Sequence, residues 1–385
     1  MTNKQSPRKK AAFVLAAILT LSMVFGGFGF AQEGTNPVRE LSIEKSIELA
    51  LADNSQIKQA KLAVEKSEVG LEKAKTFAED DNIPGMAKNT IEEGRLKKLY
   101  PRQAEAALTI DKKSEEFTEK RIKLEVEKTY YDVLKKAKLL EVKKLTLQRA
   151  QEQVRLAQAN FKAGRLAKVD VTSAETLVAA AQAEVSVYDT QYKVAVMNFN
   201  KLIGLDVDTP VKLTAKLTYA PLAKIDLEKS IRDALENSVD LVAEREKKAI
   251  SDVLLGLQKS YYSAAVFSYQ EQQIETKKAE LNLKDKEIEM RIAVKQAYLN
   301  LRSAEDRIKV LSKSLEKQKE SVRIATLKYK VGLATNADLL DVNVALDEIE
   351  EKYAGAVYDF NVAKAQFENN LFDLGRSAAG MTGAQ

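Results

Sequence analysis

Val322-Arg-Ile-Ala-Thr-Leu-Lys-Tyr329-Lys-Val-Gly332-Leu-Ala-Thr335-Asn-Ala-Asp338-Leu-Leu-Asp341 reads as the end of one long helix, a reversal, and the start of another. Val322, Ala325 and Tyr329 step by three and four, the spacing that holds side chains on one helix face. Gly332 supplies the left-handed conformation that closes a helix and lets the chain turn back. Six residues later, Asp338 suits the first turn of a returning helix, where a carboxylate accepts backbone N–H groups and opposes the helix dipole. The same device stands earlier in the chain, where Phe161-Lys-Ala-Gly164 is followed, six residues after the glycine, by Asp170.

The match spreads outward without a gap. Val126 pairs with Val294, Tyr130 with Tyr298, Leu140 with Ile308, Leu147 with Leu315, Val154 with Val322 and Ala157 with Ala325, all at an offset of 168. A second match, Ile43-Glu-Lys-Ser-Ile47 against Leu227-Glu-Lys-Ser-Ile231, runs on to Ala50-Leu51 and Ala234-Leu235 at an offset of 184. The chain is therefore a tandem repeat whose first half carries 16 extra residues. That surplus falls at 79–101, with Pro84, Gly85, Gly94 and Pro101, and is expected to be an insertion or an irregular loop.

Residues 102–163 and 270–331 each run 62 positions without Pro or Gly, about 90 Å of helix at 1.5 Å per residue. Their apolar residues recur every 3.5 positions, the seam of a coiled coil. A compact domain cannot bury rods of that length, so partner helices must lie beside them. Returning arms are expected over about 170–202 and 338–374, with Ala174, Ala181, Ala195, Ala345, Ala356 and Ala363 on faces that allow close approach. Shorter helices are expected at about 43–78 and 227–259. The fold class is all-α: long antiparallel coiled-coil hairpins in two tandem repeats. The boundaries are a signal peptide at 1–31, a first repeat at 32–205, a connector at 206–225 with room for one short strand, a second repeat at 226–375, and a disordered tail at 376–385.

Composition narrows the function. The 385 residues include no His, no Cys and no Trp, so imidazole bases, His-ligated metals, thiol nucleophiles and disulfides are excluded. No spacing of Ser, Glu or Lys marks a catalytic pair, and the chain is not expected to be an enzyme. Lys4, Arg8, Lys9 and Lys10 precede an uncharged run to Ala31, the pattern of an export signal. Gly29 and Ala31 offer a cleavage site, and an uncleaved signal anchor is the alternative. Without residues 1–31 the formal charge falls from +5 to +1, which leaves no basic excess for nucleic acid.

The export signal, the tandem halves, the Ser-Ile/Ala-Leu helix openings and the Tyr/Phe-Lys-x-Gly motif with Asp at plus six together resemble the TolC family of outer-membrane efflux proteins. The second half carries the resemblance best, through Tyr329-Lys-Val-Gly-Leu-Ala-Thr335, Asp338-Leu-Leu-Asp341 and Tyr358-Asp-Phe-Asn361; it covers about 41–375. The resemblance implies a homotrimer in which two hairpins per protomer close a twelve-helix hollow cylinder. It implies a passive conduit, with no metal and no cofactor, working with a membrane-fusion adaptor and an inner-membrane pump in efflux or type I secretion. The turns at Gly164, Arg165 and Leu166 and at Gly332, Leu333 and Ala334 would dock the adaptor. Asp338, Asp341 and Asp170 would line the aperture, with Tyr329 as a gate contact to Asp170. Two family latches are missing, because Ala334 replaces an arginine and Thr326 an acid.

On the residues alone, capping remains an equally available role for the three aspartates, and packing in the seam is the default for Tyr329 and Phe161. The family also inserts two β-strands per half into the outer membrane, each of about 9–11 alternating residues. Here 76–101 is charged, and 260–269 offers one aromatic stretch with Tyr261, Tyr262, Phe267 and Tyr269. The expectation is a helical-barrel protomer with little or no β-barrel, associated with a membrane through partners or an uncleaved signal. Such a chain suits an envelope with a single membrane, or one in which another protein forms the outer pore. The competing reading is an extracytoplasmic coiled-coil spacer or adaptor with no conducting channel.

Overall fold

The computed structural model describes residues 38–80 and 88–372; the expected signal peptide, Pro84, Gly85 and the expected tail at 376–385 lie outside them. In chain order the elements are β1 (Arg39–Leu41), α1 (Ile43–Ala52), α2 (Ser55–Glu79), α3 (Ile91–Gly94), a π-helical turn (Arg95–Leu99), α4 (Tyr100–Lys162), α5 (Lys168–Leu202), β2 (Val211–Leu213), α6 (Leu227–Asn237), α7 (Val239–Tyr261), α8 (Phe267–Lys330) and α9 (Asn336–Glu368). The two rods, α4 and α8, have 63 and 64 residues, and each is about 95 Å long.

Several boundaries correct the sequence reading. The helices expected at 43–78 and 227–259 are each broken in two by a capping side chain. Asn54 accepts the N–H groups of Gln56 at 2.8 Å and Ile57 at 3.4 Å, and Ser238 accepts that of Leu241 at 3.4 Å; each starts a fresh helix. The described part of the surplus is mostly helical, not a loop. Pro101 cannot donate to the α ladder, and the π turn immediately before it absorbs the break. The last arm stops at Glu368, short of 374, because Asn370 adopts φ +54° and reverses the chain as a glycine would.

The repeat is legible in the packing. Val126 and Val294 are both fully buried. Tyr130 meets Phe199 edge-on at 5.8 Å, and the matching Tyr298 meets Phe367 at 6.3 Å. The Tyr130 hydroxyl also donates to the Leu41 carbonyl at 2.9 Å and accepts the Ala215 N–H at 3.1 Å. It thereby clamps the connector and the short parallel β1–β2 pair, whose register is Arg39↔Val211, onto the first rod. Tyr130→Phe leaves the Ala215 N–H without its acceptor, while the Leu41 carbonyl keeps the Thr214 N–H at 3.0 Å, and a loss of about 1 kcal/mol is expected in urea unfolding.

The helices form an open row. In the half bearing the glycine turns, α5 packs on α4, α4 on α9, and α9 on α8; in the other half α2 takes the place of α5, and α7 that of α9. The flanks of α2 and α5 therefore form one edge of the row and α8 the other. Both edges carry exposed apolar residues at seven-residue spacing: Leu62 and Val69 on α2, Val187 and Val194 on α5, and Ile274, Leu281 and Ile288 on α8. Among the described residues the only strands are β1 and β2, of three residues each, and no helix is long and apolar enough to cross a membrane. Five residues, 262–266, join α7 to α8, and eleven, 80–90, join α2 to α3. Neither connection is long enough for two membrane-crossing strands.

Candidate functional site

The sequence-predicted residues gather at the hairpin turns. At the end of α4, the Gly164 N–H bonds the Phe161 carbonyl at 2.9 Å and the Arg165 N–H bonds the Asn160 carbonyl at 2.9 Å. At the end of α8, the Gly332 N–H bonds Tyr329 at 3.1 Å and the Leu333 N–H bonds Lys328 at 2.8 Å. Both are the same glycine-terminated closure, with φ of +72° and +78°. A side chain at either glycine would strain the backbone although no atom obstructs it. The turns expose Arg165, Val331 and Leu333, while Leu166 and Ala334 are half-buried.

The returning helices open on the two predicted acids. The Asp338 carboxylate accepts the Thr335 N–H at 2.8 Å and its hydroxyl at 2.7 Å, while the Thr335 hydroxyl accepts the Asp338 N–H at 3.1 Å. This reciprocal pair holds the Asp338 carboxyl below its ordinary range, first through the Thr335 backbone and then its hydroxyl. Asp170 makes half of the arrangement: it accepts the Ala167 N–H at 3.0 Å, and alanine has no side-chain oxygen to reply. Asp341 lies one turn further on the same face as Asp338 and is exposed.

Tyr329 and Phe161, matched in sequence, part company. Tyr329 is 5% exposed and Phe161 44%, so only Tyr329 packs in the seam within one chain. The Tyr329 hydroxyl is buried without a hydrogen-bond partner. Burial, and secondarily the charge of Asp170, push its ionisation above the ordinary tyrosine range, yet Asp170 does not accept its proton within the chain.

A polar cluster that the sequence reading did not single out lies along the shaft beyond the turns. Lys143 of α4, 7% exposed, sits between Glu351 of α9 at 2.7 Å and Glu184 of α5 at 3.1 Å. Its ammonium is 5.0 Å from the centre of the Tyr188 ring, whose hydroxyl donates to Glu351 at 3.1 Å. Burial disfavours the Lys143 charge, but the two carboxylates outweigh it and hold the ammonium well above the ordinary lysine range. One helical turn or two further, Arg149 contacts Asp347 of α9 at 2.5 Å and the Thr146 hydroxyl at 2.9 Å. Burial raises the Asp347 carboxyl despite Thr146 and Arg149. Gln153 donates to Asn336. Lys143, Gln153, Asn343 and Asp347, all buried, share a cleft of about 230 Å³ between α4, α5 and α9.

Two signals for this cluster were present in the sequence. Lys143 fills a gap in the apolar seam between Leu140 and Leu147. At the repeat offset of 168, Lys143 matches Leu311, Asp347 matches Ala179 and Glu351 matches Ala183, so the polar residues break the symmetry of the halves. The cluster joins the first hairpin to the second and offers ionic pairing rather than nucleophilic chemistry. Among the described residues no group of three or more acidic side chains is placed to hold a metal ion.

The model of the family described as "Outer membrane efflux protein" matches residues 94–205 and 265–371, more than half of the chain and both hairpins. No curated protein matches. Among solved structures, the outer membrane protein VceC of Vibrio cholerae superposes with a TM-score of 0.67 at 12% identity, over 85% of this chain and 95% of that one. The Campylobacter jejuni CmeC outer membrane channel gives 0.63 at 12% identity, over 87% of each chain. The open state of the Neisseria gonorrhoeae MtrE outer membrane channel gives 0.59 at 15% identity, over 86% and 88%. At these identities the likeness is one of fold.

Proposed function

Because the chain belongs to the outer membrane efflux protein family, we propose that it is the duct of a cell-envelope export system, a passive TolC-like conduit closed by three copies of itself. The observation that carries this reading is the open row of helices with an apolar series along each edge. The α8 edge of one copy meets the α2–α5 edge of the next, a head-to-tail contact that closes into a ring once the rotation completes. Each edge is then covered, and the bore between the helices fills with water. In this reading Asp338, Asp341 and Asp170 ring the aperture. The Tyr329 hydroxyl, unpartnered in one chain, finds its acceptor when the ring closes. The turns at 164–166 and 332–334 face a membrane-fusion adaptor and, through it, an inner-membrane pump of an efflux or type I secretion system. The Lys143 cluster sets the register of the two hairpins within a copy, so that opening moves the turns and leaves the shaft intact.

The scarcity of strands favours one second reading, an extracytoplasmic spacer built from the same arms without a bore. Sedimentation equilibrium and electron microscopy separate the two: the duct requires a trimer with an axial lumen, and a monomer or open dimer would sink it. Leu281→Lys with Ile288→Lys removes two apolar contacts from each interface, about 2 kcal/mol apiece. Association should weaken by about three orders of magnitude with helicity unchanged.

A further inference from the structure

In the cleft between α4, α5 and α9 the buried polar groups are not all answered from within the chain. Asn343 of α9 is 9% exposed, and its Oδ1 is buried without a donor; on the α4 wall, Nε of Arg149 is buried without an acceptor. Arg149 reaches Asp347, one turn of α9 from Asn343, so the two unanswered atoms sit within about 6 Å of each other along the shaft. Leaving such groups unmade is costly, and a single hydroxyl, donor and acceptor at once, answers both.

Small side chains make the room. Ala150 and Ala181 are buried and line the cleft. At the repeat offset of 168 they stand where the second hairpin has Gln318 and Ile349. The resulting space of about 230 Å³ is several times what one water needs, with Leu340 and Val344 adding an apolar wall. The side chains of Glu184 and Glu348 are more than half exposed, so the cleft opens to solvent past them.

The charge in the lining is unbalanced. Lys143 and Arg149 face four acids, Glu184, Asp347, Glu348 and Glu351. Lys352 answers Glu348 at 3.3 Å, and an excess of one carboxylate remains. Lys143 approaches Oε2 of Glu184 and Oε1 of Glu351, and a carboxylate accepts more than one donor. Among the described residues no group of three or more acids is placed to hold a metal ion, so the cation that fits is an ammonium.

We propose that this cleft binds a small organic cation, a primary ammonium joined by a short aliphatic stem to a hydroxyl. Glu351 lies eight residues along α9 from Asn343, about 12 Å. The hydroxyl therefore sits between Asn343 and Arg149, the stem passes Ala181 and Val344, and the ammonium reaches the acidic end at Glu184, Glu348 and Glu351. The site is contained in one chain and depends on neither the ring nor its partners. An occupant that touches all three helices ties the first hairpin to the second, so binding stabilises the fold.

Isothermal titration calorimetry of the full-length protein with aminohexanol tests this. One site per chain should saturate, and the melting temperature should rise. Hexanediol, which lacks the charge, and hydroxyhexanoate, which reverses it, should each bind about tenfold more weakly or worse. Asn343→Leu removes the acceptor and Glu348→Gln the excess charge; each should weaken aminohexanol by about fivefold at unchanged helicity. Ala181→Ile, which installs the residue of the second hairpin, should abolish binding. Absence of saturable binding at millimolar aminohexanol overturns the proposal and leaves the cleft to water. Equal affinity for hexanediol, or affinity indifferent to both Asn343→Leu and Glu348→Gln, overturns it as well. Binding should persist in the Leu281→Lys, Ile288→Lys variant, so a failed ring and a failed site give different results.

Discussion

Lys143→Ala is expected to lower the free energy of unfolding by about 3 kcal/mol, toward the lower end of what breaking a buried ion pair costs, because Glu351 and Glu184 keep partial access to water. The ammonium holds two carboxylates from two different helices, and its loss leaves them facing each other and the Tyr188 ring across α4. Far-UV circular dichroism in urea measures the loss. The lysine is held charged above its ordinary range, so its contribution is complete below that range and disappears only as pH rises through the elevated value. The deficit of the variant should therefore be flat from about pH 6 to pH 9. The matching positions of the other repeat supply a rescue. Lys143→Leu with Glu351→Ala installs the residues found at Leu311 and Ala183, leaves the Arg149–Asp347 pair in place, and should recover most of the stability, since apolar replacement of a buried ion pair is commonly neutral or favourable. A double variant as unstable as Lys143→Ala would show that the cluster contributes more than pairwise ion pairing.

Glu305→Ala should be nearly as costly, about 3 kcal/mol at neutral pH, and its deficit should shrink in acid. Glu305 is 3% exposed and ties the connector to the second rod. One carboxylate oxygen accepts the Leu222 N–H and the Tyr219 hydroxyl, both at 3.0 Å; the other faces Arg302 at 3.2 Å and Lys309 at 3.5 Å. The Leu222 N–H, against the opposing effect of burial and with help from Tyr219 and Lys309, holds its ionisation below the ordinary carboxylate range. A depressed acid contributes stability above its unfolded pKa and loses it as pH falls through the folded value. The gap should therefore begin to narrow as pH falls through the ordinary glutamate value of about 4.3 and close only below the depressed folded value. A gap that does not narrow with acidification would assign the loss to packing of Tyr219 against Phe360, whose rings meet at 5.3 Å.

Much of the candidate site was legible because it is local. A glycine at C′ and an acid at the third helical position act within one turn of backbone, so Gly164, Gly332, Asp170 and Asp338 could be placed without knowing the fold. The split at Ser238 was equally local but was masked by the longer apolar periodicity around it. Phe161 and Tyr329 were indistinguishable in the seam, and only the packing of the helices at the turns buries one and exposes the other. Glu305 sits in an ordinary run of i,i+3 and i,i+4 charge pairs, and nothing in that run announces that a connector folds over it.

From the sequence alone came the rods, their lengths, the turns that end them and the duplication. Each follows from steps of three and four, from single residues with unusual backbone freedom, or from counting. The tertiary structure decided which flanks of the rods are covered within one copy and which stay open. It also decided that an arginine and three carboxylates from separate hairpins gather around one buried lysine, and that Arg39–Leu41 pairs with Val211–Leu213. Those outcomes depend on contacts between residues far apart in the chain, where side-chain spacing along one helix carries no information about the helix opposite.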